Sequence, residues 1–189
     1  MTLKFQYLKV LVLFLTLSSV GCSSDDDTAT TDPDDNQQQN AYSLTIQNSV
    51  YSNAWNLDDD YVGGAISSIY IENEDGDKAI SMTLADQEQD IFVNANLGLQ
   101  NGQPFPLADL SSEWDLSSSA SSMIITMGGI NYVSTSGTAE LSNLEITLVS
   151  ETTGVANYIL EIDGLFDKPD TEDLEQIEVI GTFHVYSGF

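Results

Sequence analysis

Basic residues are almost missing from this chain of 189 residues: Lys4, Lys9, Lys78 and Lys168 stand against 30 acidic residues, and arginine is absent. The formal net charge is −26 at pH 7. Such a balance excludes nucleic-acid binding, which depends on Lys and Arg neutralising phosphates. It also opposes adsorption to anionic lipid. Histidine and cysteine occur once each, as His184 and Cys22. One histidine cannot build a zinc site, which normally takes several His or Cys ligands, and one cysteine cannot form an internal disulfide. No serine lies in a Gly-x-Ser-x-Gly setting, and His184 falls on the outward phase of the last apolar alternation, so no hydrolase triad is legible. The longest apolar run, residues 10–17, is broken only by Thr16 and is too short to cross a bilayer, which takes about 20 residues.

What that run does form is the core of a signal peptide. Lys4 and Lys9 precede it, and the small residues Ser18, Ser19 and Gly21 follow. Residues 1–21 are therefore read as a signal peptide, with Cys22 as the first residue of the mature protein. Cys22 directly after Gly21 resembles a bacterial lipobox, although Ser19 stands where that motif usually has Leu. The Ser23-Ser24-Asp25-Asp26-Asp27 run resembles the export signal of Bacteroidetes-type surface lipoproteins. The resemblance implies acylation of Cys22 and a place on the outer face of the outer membrane, with lipid as the only membrane contact. Each acyl methylene buried contributes about 0.8 kcal/mol, so two or three chains hold firmly. Residues 22–40 hold nothing apolar larger than Ala29 beyond the cysteine itself, and read as a disordered acidic tether.

Residues 41–189 make one domain, and its dominant period is two. Tyr42, Leu44 and Ile46 alternate with polar residues, as do Ile91, Val93, Ala95 and Leu97, and finally Ile177, Val179, Gly181, Phe183 and Val185. Asp75-Gly76 suits a two-residue hairpin turn, which would set Ile71 opposite Ile80 and Ile69 opposite Met82, with Tyr70 and Ser81 outward. Gly128-Gly129 predicts a second hairpin with Ile125 opposite Tyr132 and Ile124 opposite Val133. Between residues 138 and 149 the apolar phase changes: Ala139 and Leu141 lie in one phase, Leu144, Ile146 and Leu148 in the other. A bulge at Ser142-Asn143 would reconcile them. No stretch carries a capped helical stripe. The fold expected is all-β, a single antiparallel β-sandwich of about nine to ten strands, with a calycin-like barrel as the alternative.

The order Asn101-Gly102-x-Pro104-Phe105, then Ser136-Gly137-Thr138-Ala139-Glu140-Leu141, then Gly181-Thr182-Phe183, is similar to small Bacteroidetes surface lipoproteins. That likeness implies an all-β domain and assigns no catalytic residue. The echo of Gly137-Thr138 in Gly181-Thr182 suggests paired strands.

Acidic groups supply the only candidate metal ligands, for calcium: Asp58, Asp59 and Asp60, the hairpin tip with Glu74, Asp75 and Asp77, and residues 170–175. The tip lacks the first and last acids of an EF-hand loop, where Ile71 and Met82 stand, so the expectation is solvated acidic loops and no bound metal or cofactor. Trp55, Trp114, Tyr51, Tyr61, Tyr70, Tyr132 and Tyr186 are candidates for contact with a sugar or protein. The expected function is a non-catalytic surface module binding a glycan, a host protein or an outer-membrane partner. The alternatives are a barrel-type carrier of a small apolar ligand and a carboxylate-based hydrolase. A carrier needs an empty interior. The inward positions here are mostly Ile, Leu and Val, which predict a filled one.

Overall fold

The computed structural model describes residues 39–56, 64–108, 120–168 and 176–187, all within the compact unit Gln37–Phe189. Strands dominate it: β1 (Gln39–Ile46), β2 (Ser49–Asn56), β3 (Gly64–Glu72), β4 (Lys78–Asp86), β5 (Ile91–Gln100), β6 (Gln103–Pro104), β7 (Leu107–Ala108), β8 (Ser121–Met127), β9 (Ile130–Leu148), β10 (Thr153–Asp167) and β11 (Gln176–Val185). No helix occurs among the described residues.

All eleven strands belong to one partly ringed sheet. Strands β3, β4, β5, β8, β9 and β10 close on themselves, because β10 pairs with β3 at one end and with β9 along its length. β11, β1 and β2 continue outward from the second half of β10. The fold is all-β, as expected, with two differences in detail. Two of the strands have only two residues each, which raises the number, and Leu107 meets Ser121 in a parallel bridge within an otherwise antiparallel sheet. A sheet that wraps round on itself hides most of its edges, the general hazard of open β structure.

The period-two pattern decides which face is inside. Tyr42, Leu44 and Ile46, then Ile91, Val93, Ala95 and Leu97, and the whole inward set of β11 are buried in one continuous core. The second hairpin also forms as expected. Gly128 and Gly129 both take positive φ, and Ile125 pairs with Tyr132 and Ile124 with Val133.

The first hairpin departs from its expected register. Its connection is five residues, 73–77, organised by Asn73, whose Oδ1 accepts the N–H groups of Asp75 (3.0 Å) and Asp77 (2.9 Å). The pairs become Glu72–Lys78, Tyr70–Ile80, Ile69–Ser81 and Ser68–Met82. A one-residue shift exchanges the faces of a strand. Tyr70 is therefore in the core and Ile69 is 53% exposed, the reverse of the expectation. Where the expected register would oppose Glu74 to Asp77, the tip sets Glu72 against Lys78 at 3.7 Å, an exposed pair contributing little, about 0.5 kcal/mol.

The expected bulge in the long strand is present. The β9–β10 register shifts between Asn157 and Ile159, and Asn143 takes φ of 55°. Leu144 packs against the core, whereas Ile146 and Leu148 stay exposed even though their partners Ala156 and Gly154 are buried. The two Gly-Thr pairs are not on paired strands. They flank β10, with Thr138 opposite Asp163 and Thr182 opposite Glu161.

Polar groups inside the fold are mostly satisfied. Asp86, 2% exposed, accepts the Tyr42 hydroxyl at 2.8 Å and the Asn53 amide at 3.2 Å through Oδ2. Its Oδ1 accepts the Glu88 and Gln89 N–H groups at 3.0 and 3.1 Å. Burial, and then the Asp86 carboxylate, push the Tyr42 hydroxyl upward from its ordinary pKa. Burial and the bonded Glu72 carboxylate push Tyr70 up to about 12, and burial alone raises Tyr158.

Raised phenol values favour the protonated native state. Their stabilisation is complete below the unfolded value of about 10 and is lost as pH climbs through the folded values. Urea midpoints should hold steady to about pH 9.5 and fall above about pH 10. Tyr70→Phe should make that alkaline fall shallower; an unchanged slope would show that Tyr70 ionises alike in both states.

Candidate functional site

The sites suggested by sequence are not brought together by the fold. Cys22, Ser23, Ser24, Asp25, Asp26 and Asp27 lie outside the described residues, as do Asp58, Asp59, Asp60, Tyr61, Trp114 and residues 170–175. At the hairpin tip Glu74, Asp75 and Asp77 are exposed, and the Asn73 amide donates to the Asp77 carboxylate at 3.2 Å. Asn73 Oδ1, the other oxygen a cation would want, is already bonded to two backbone amides. Among the described residues no three His, Cys, Asp or Glu side chains converge for a metal ion.

The aromatic candidates mostly turn inward. Trp55 stacks on Tyr42 with ring centroids 5.9 Å apart, while Tyr51 and Tyr132 pack partly buried against the core. Tyr186 is half-buried, its backbone N–H bonded to the Asn40 side chain. His184, also half-buried, sits outward on β11 between Ala41 and Ile159. Phe92 is the exposed aromatic among the described residues. A flat stacking platform for a sugar is therefore not assembled from these side chains.

The interior is filled. Leu44, Ile80, Met82, Leu84, Val93, Leu97, Ile125, Leu160 and Phe183 are all 0% exposed, so side chains occupy the volume a carrier would need to keep open.

An open groove of about 520 Å³ lies instead where the segment 103–106 approaches the edge of β9. Gln103, Pro104 and Pro106 form one side, and Thr138 to Ser142 with Glu161 form the other. Asn101 and Gly102, both at positive φ, turn the chain back after β5 and deliver Gln103 to this place. There its side-chain amide acts as a surrogate strand. Nε2 donates to the Leu141 carbonyl at 2.9 Å, and Oε1 accepts the Leu141 N–H at 3.0 Å. Pro104 and Pro106 have no N–H with which to continue such pairing. In the sequence this stretch shows a turn and an extended path, with nothing to mark the groove. The Asn-Gly and Pro-x-Pro signals locate the turn, but contact with a strand 38 residues away leaves no local trace.

Glu140 and Glu161 are cross-strand partners on the groove wall, both exposed. Such partners project from one surface, whereas glycoside hydrolysis needs two carboxyls on either side of the scissile bond. This pair is therefore not set for that hydrolysis. No family model, characterised protein or solved structure matches the chain.

Proposed function

We propose that this protein is an acyl-anchored lipoprotein of the outer-membrane surface whose β domain is a non-catalytic interaction module, engaging its partner along the groove beside β9. The observation that carries the reading is the location of open space: the interior is packed, and the groove lies outside it. The inward turn of the aromatic side chains favours a protein partner over a glycan, since sugar recognition relies heavily on exposed rings. The anchor rests on Cys22 and the serine-aspartate run after it.

Two measurements test this. Cys22→Ser removes the thiol that acylation requires, so the variant should leave the detergent phase and appear in the soluble fraction. If it still partitions with membranes, lipid anchoring at Cys22 is wrong. A photo-crosslinking residue at Thr138, in the groove, should capture a discrete partner on intact cells, and one at Thr126, away from it, should not. Equal labelling from both positions would remove the groove as the site.

A further inference from the structure

We propose that the partner adds as a β-strand to the free edge of β9 beyond the groove, through an extended segment in which apolar and basic residues alternate. This inference rests on the interaction-module reading and specifies its chemistry.

The edge is identified by its hydrogen bonds. Val149 donates its N–H to the Thr153 carbonyl at 2.9 Å, which closes the β9–β10 hairpin. In an antiparallel ladder bonded and non-bonded pairs alternate. Thr147, paired with Val155, and Glu145, paired with Asn157, therefore point their backbone groups into β10. Ile146 and Leu148 point theirs the other way. Among the described residues no strand pairs with β9 on that side beyond Gly137. One step back, past the bulge, Leu141 presents the same edge, and there the Gln103 amide already makes both bonds a strand would make. The fold itself demonstrates that this edge accepts an amide.

Side chains state what the added strand must carry. Ile146 and Leu148 are 39% and 56% exposed, on the face that their partners Ala156 and Gly154 share with the core. Their neighbours on an incoming strand would be apolar. Glu140 and Glu145 are exposed on the opposite face, where neighbours would be basic. Because successive residues of a strand face opposite ways, these two demands require alternation. Charge argues against a second copy of this chain as the occupant: Lys78 and Lys168 are its only cations beyond the signal peptide, against 30 acids. Like-charged edges repel, whereas a cationic segment is attracted from a distance.

The test uses the mature chain with three peptides: (Lys-Val)4, (Glu-Val)4, and (Lys-Val)4 N-methylated on alternate amides. Affinity is followed by fluorescence anisotropy and backbone protection by hydrogen exchange. The first peptide should bind at least about tenfold more tightly than either of the others. Exchange at the Ile146 and Leu148 amides should slow, while that of Thr147, already bonded to β10, should not change. Ile146→Pro removes an edge-facing N–H without breaking the ladder to β10 and should cost at least about tenfold in affinity, and Ile146→Val should retain it. If Ile146→Pro does not fold, the N-methylated peptide on the unaltered chain gives the answer alone. Equal binding of the methylated peptide, or unprotected Ile146 and Leu148 amides, overturns strand addition. Absent peptide binding with crosslinking from Thr138 retained overturns strand addition alone. Loss of both overturns the interaction-module reading as well.

Discussion

Asp86→Ala should destabilise the domain by about 3 kcal/mol, lowering the melting temperature by about 10 °C for a domain of this size. The Asp86 carboxylate receives four hydrogen bonds at the end of β4. Two come from the β1–β2 hairpin and two from the following turn, so one side chain ties three segments together. Alanine leaves the Tyr42 hydroxyl without its partner at a site only 3% exposed, and a buried donor left unpaired costs about 1–3 kcal/mol. The turn amides of Glu88 and Gln89, being nearer solvent, add less. Tyr42→Phe removes one partner and leaves the acid three donors, so it should cost only about 1 kcal/mol. The double variant should cost less than the sum of the two, since both remove the same bond. Urea denaturation with an unchanged slope would measure all three. A loss below about 1 kcal/mol for Asp86→Ala would mean that water replaces the carboxylate and that the tie is dispensable.

Gly137→Ala should be of similar size, about 3 kcal/mol, for a backbone reason. Gly137 has φ of 145°, a conformation L-residues rarely adopt. A Cβ there would lie 2.5 Å from both the Asp163 carbonyl oxygen and the Gly164 Cα. Backbone atoms of a paired strand cannot step aside as a flexible side chain can, so β9 and β10 would separate beside the groove. Gly76 is the control. It has φ of 84°, but nothing lies within 4 Å of its Cβ position, so Gly76→Ala should cost only about 1 kcal/mol. Equal losses at the two positions would show that conformation, and not the close approach of strands, sets the cost at Gly137.

The same comparison explains the recurring Gly-Thr. Gly181 is close-packed like Gly137, its Cβ position lying 2.4 Å from the Leu44 side chain. The two glycines sit on either side of β10 because each lets another group approach closely. The similarity in sequence reports two tight packing points, Gly137 against β10 and Gly181 against β1, and the strands that carry them do not pair with each other.

Much of the fold was legible because most strands here have one clean apolar phase. β1, β5 and β11 could be assigned inward and outward faces from alternation alone, and β8–β9 needed only its Gly-Gly turn. β9 declared its own irregularity through a change of phase at Asn143. β3 failed for a definite reason. Ile66 and Tyr70 lie in one phase and Ile69 and Ile71 in the other, so its pattern supports both registers. The Asp-Gly pair favoured the wrong one, since Asn73 rather than Gly76 decides the length of that connection.

The sequence alone determined the all-β class, the identity of most core residues and the extreme acidity. Each of these follows from local alternation or from composition, which need no knowledge of distant contacts. Tertiary structure alone decided the register of the first hairpin, the closing of β10 onto both β3 and β9, and the capture of Leu141 by Gln103. It also decided that Ile146 and Leu148, apolar and alternating like any core strand, remain outside. Alternation reports that a strand has an apolar face. Whether another layer covers that face depends on where the rest of the chain ends, and that is a property of the assembled fold.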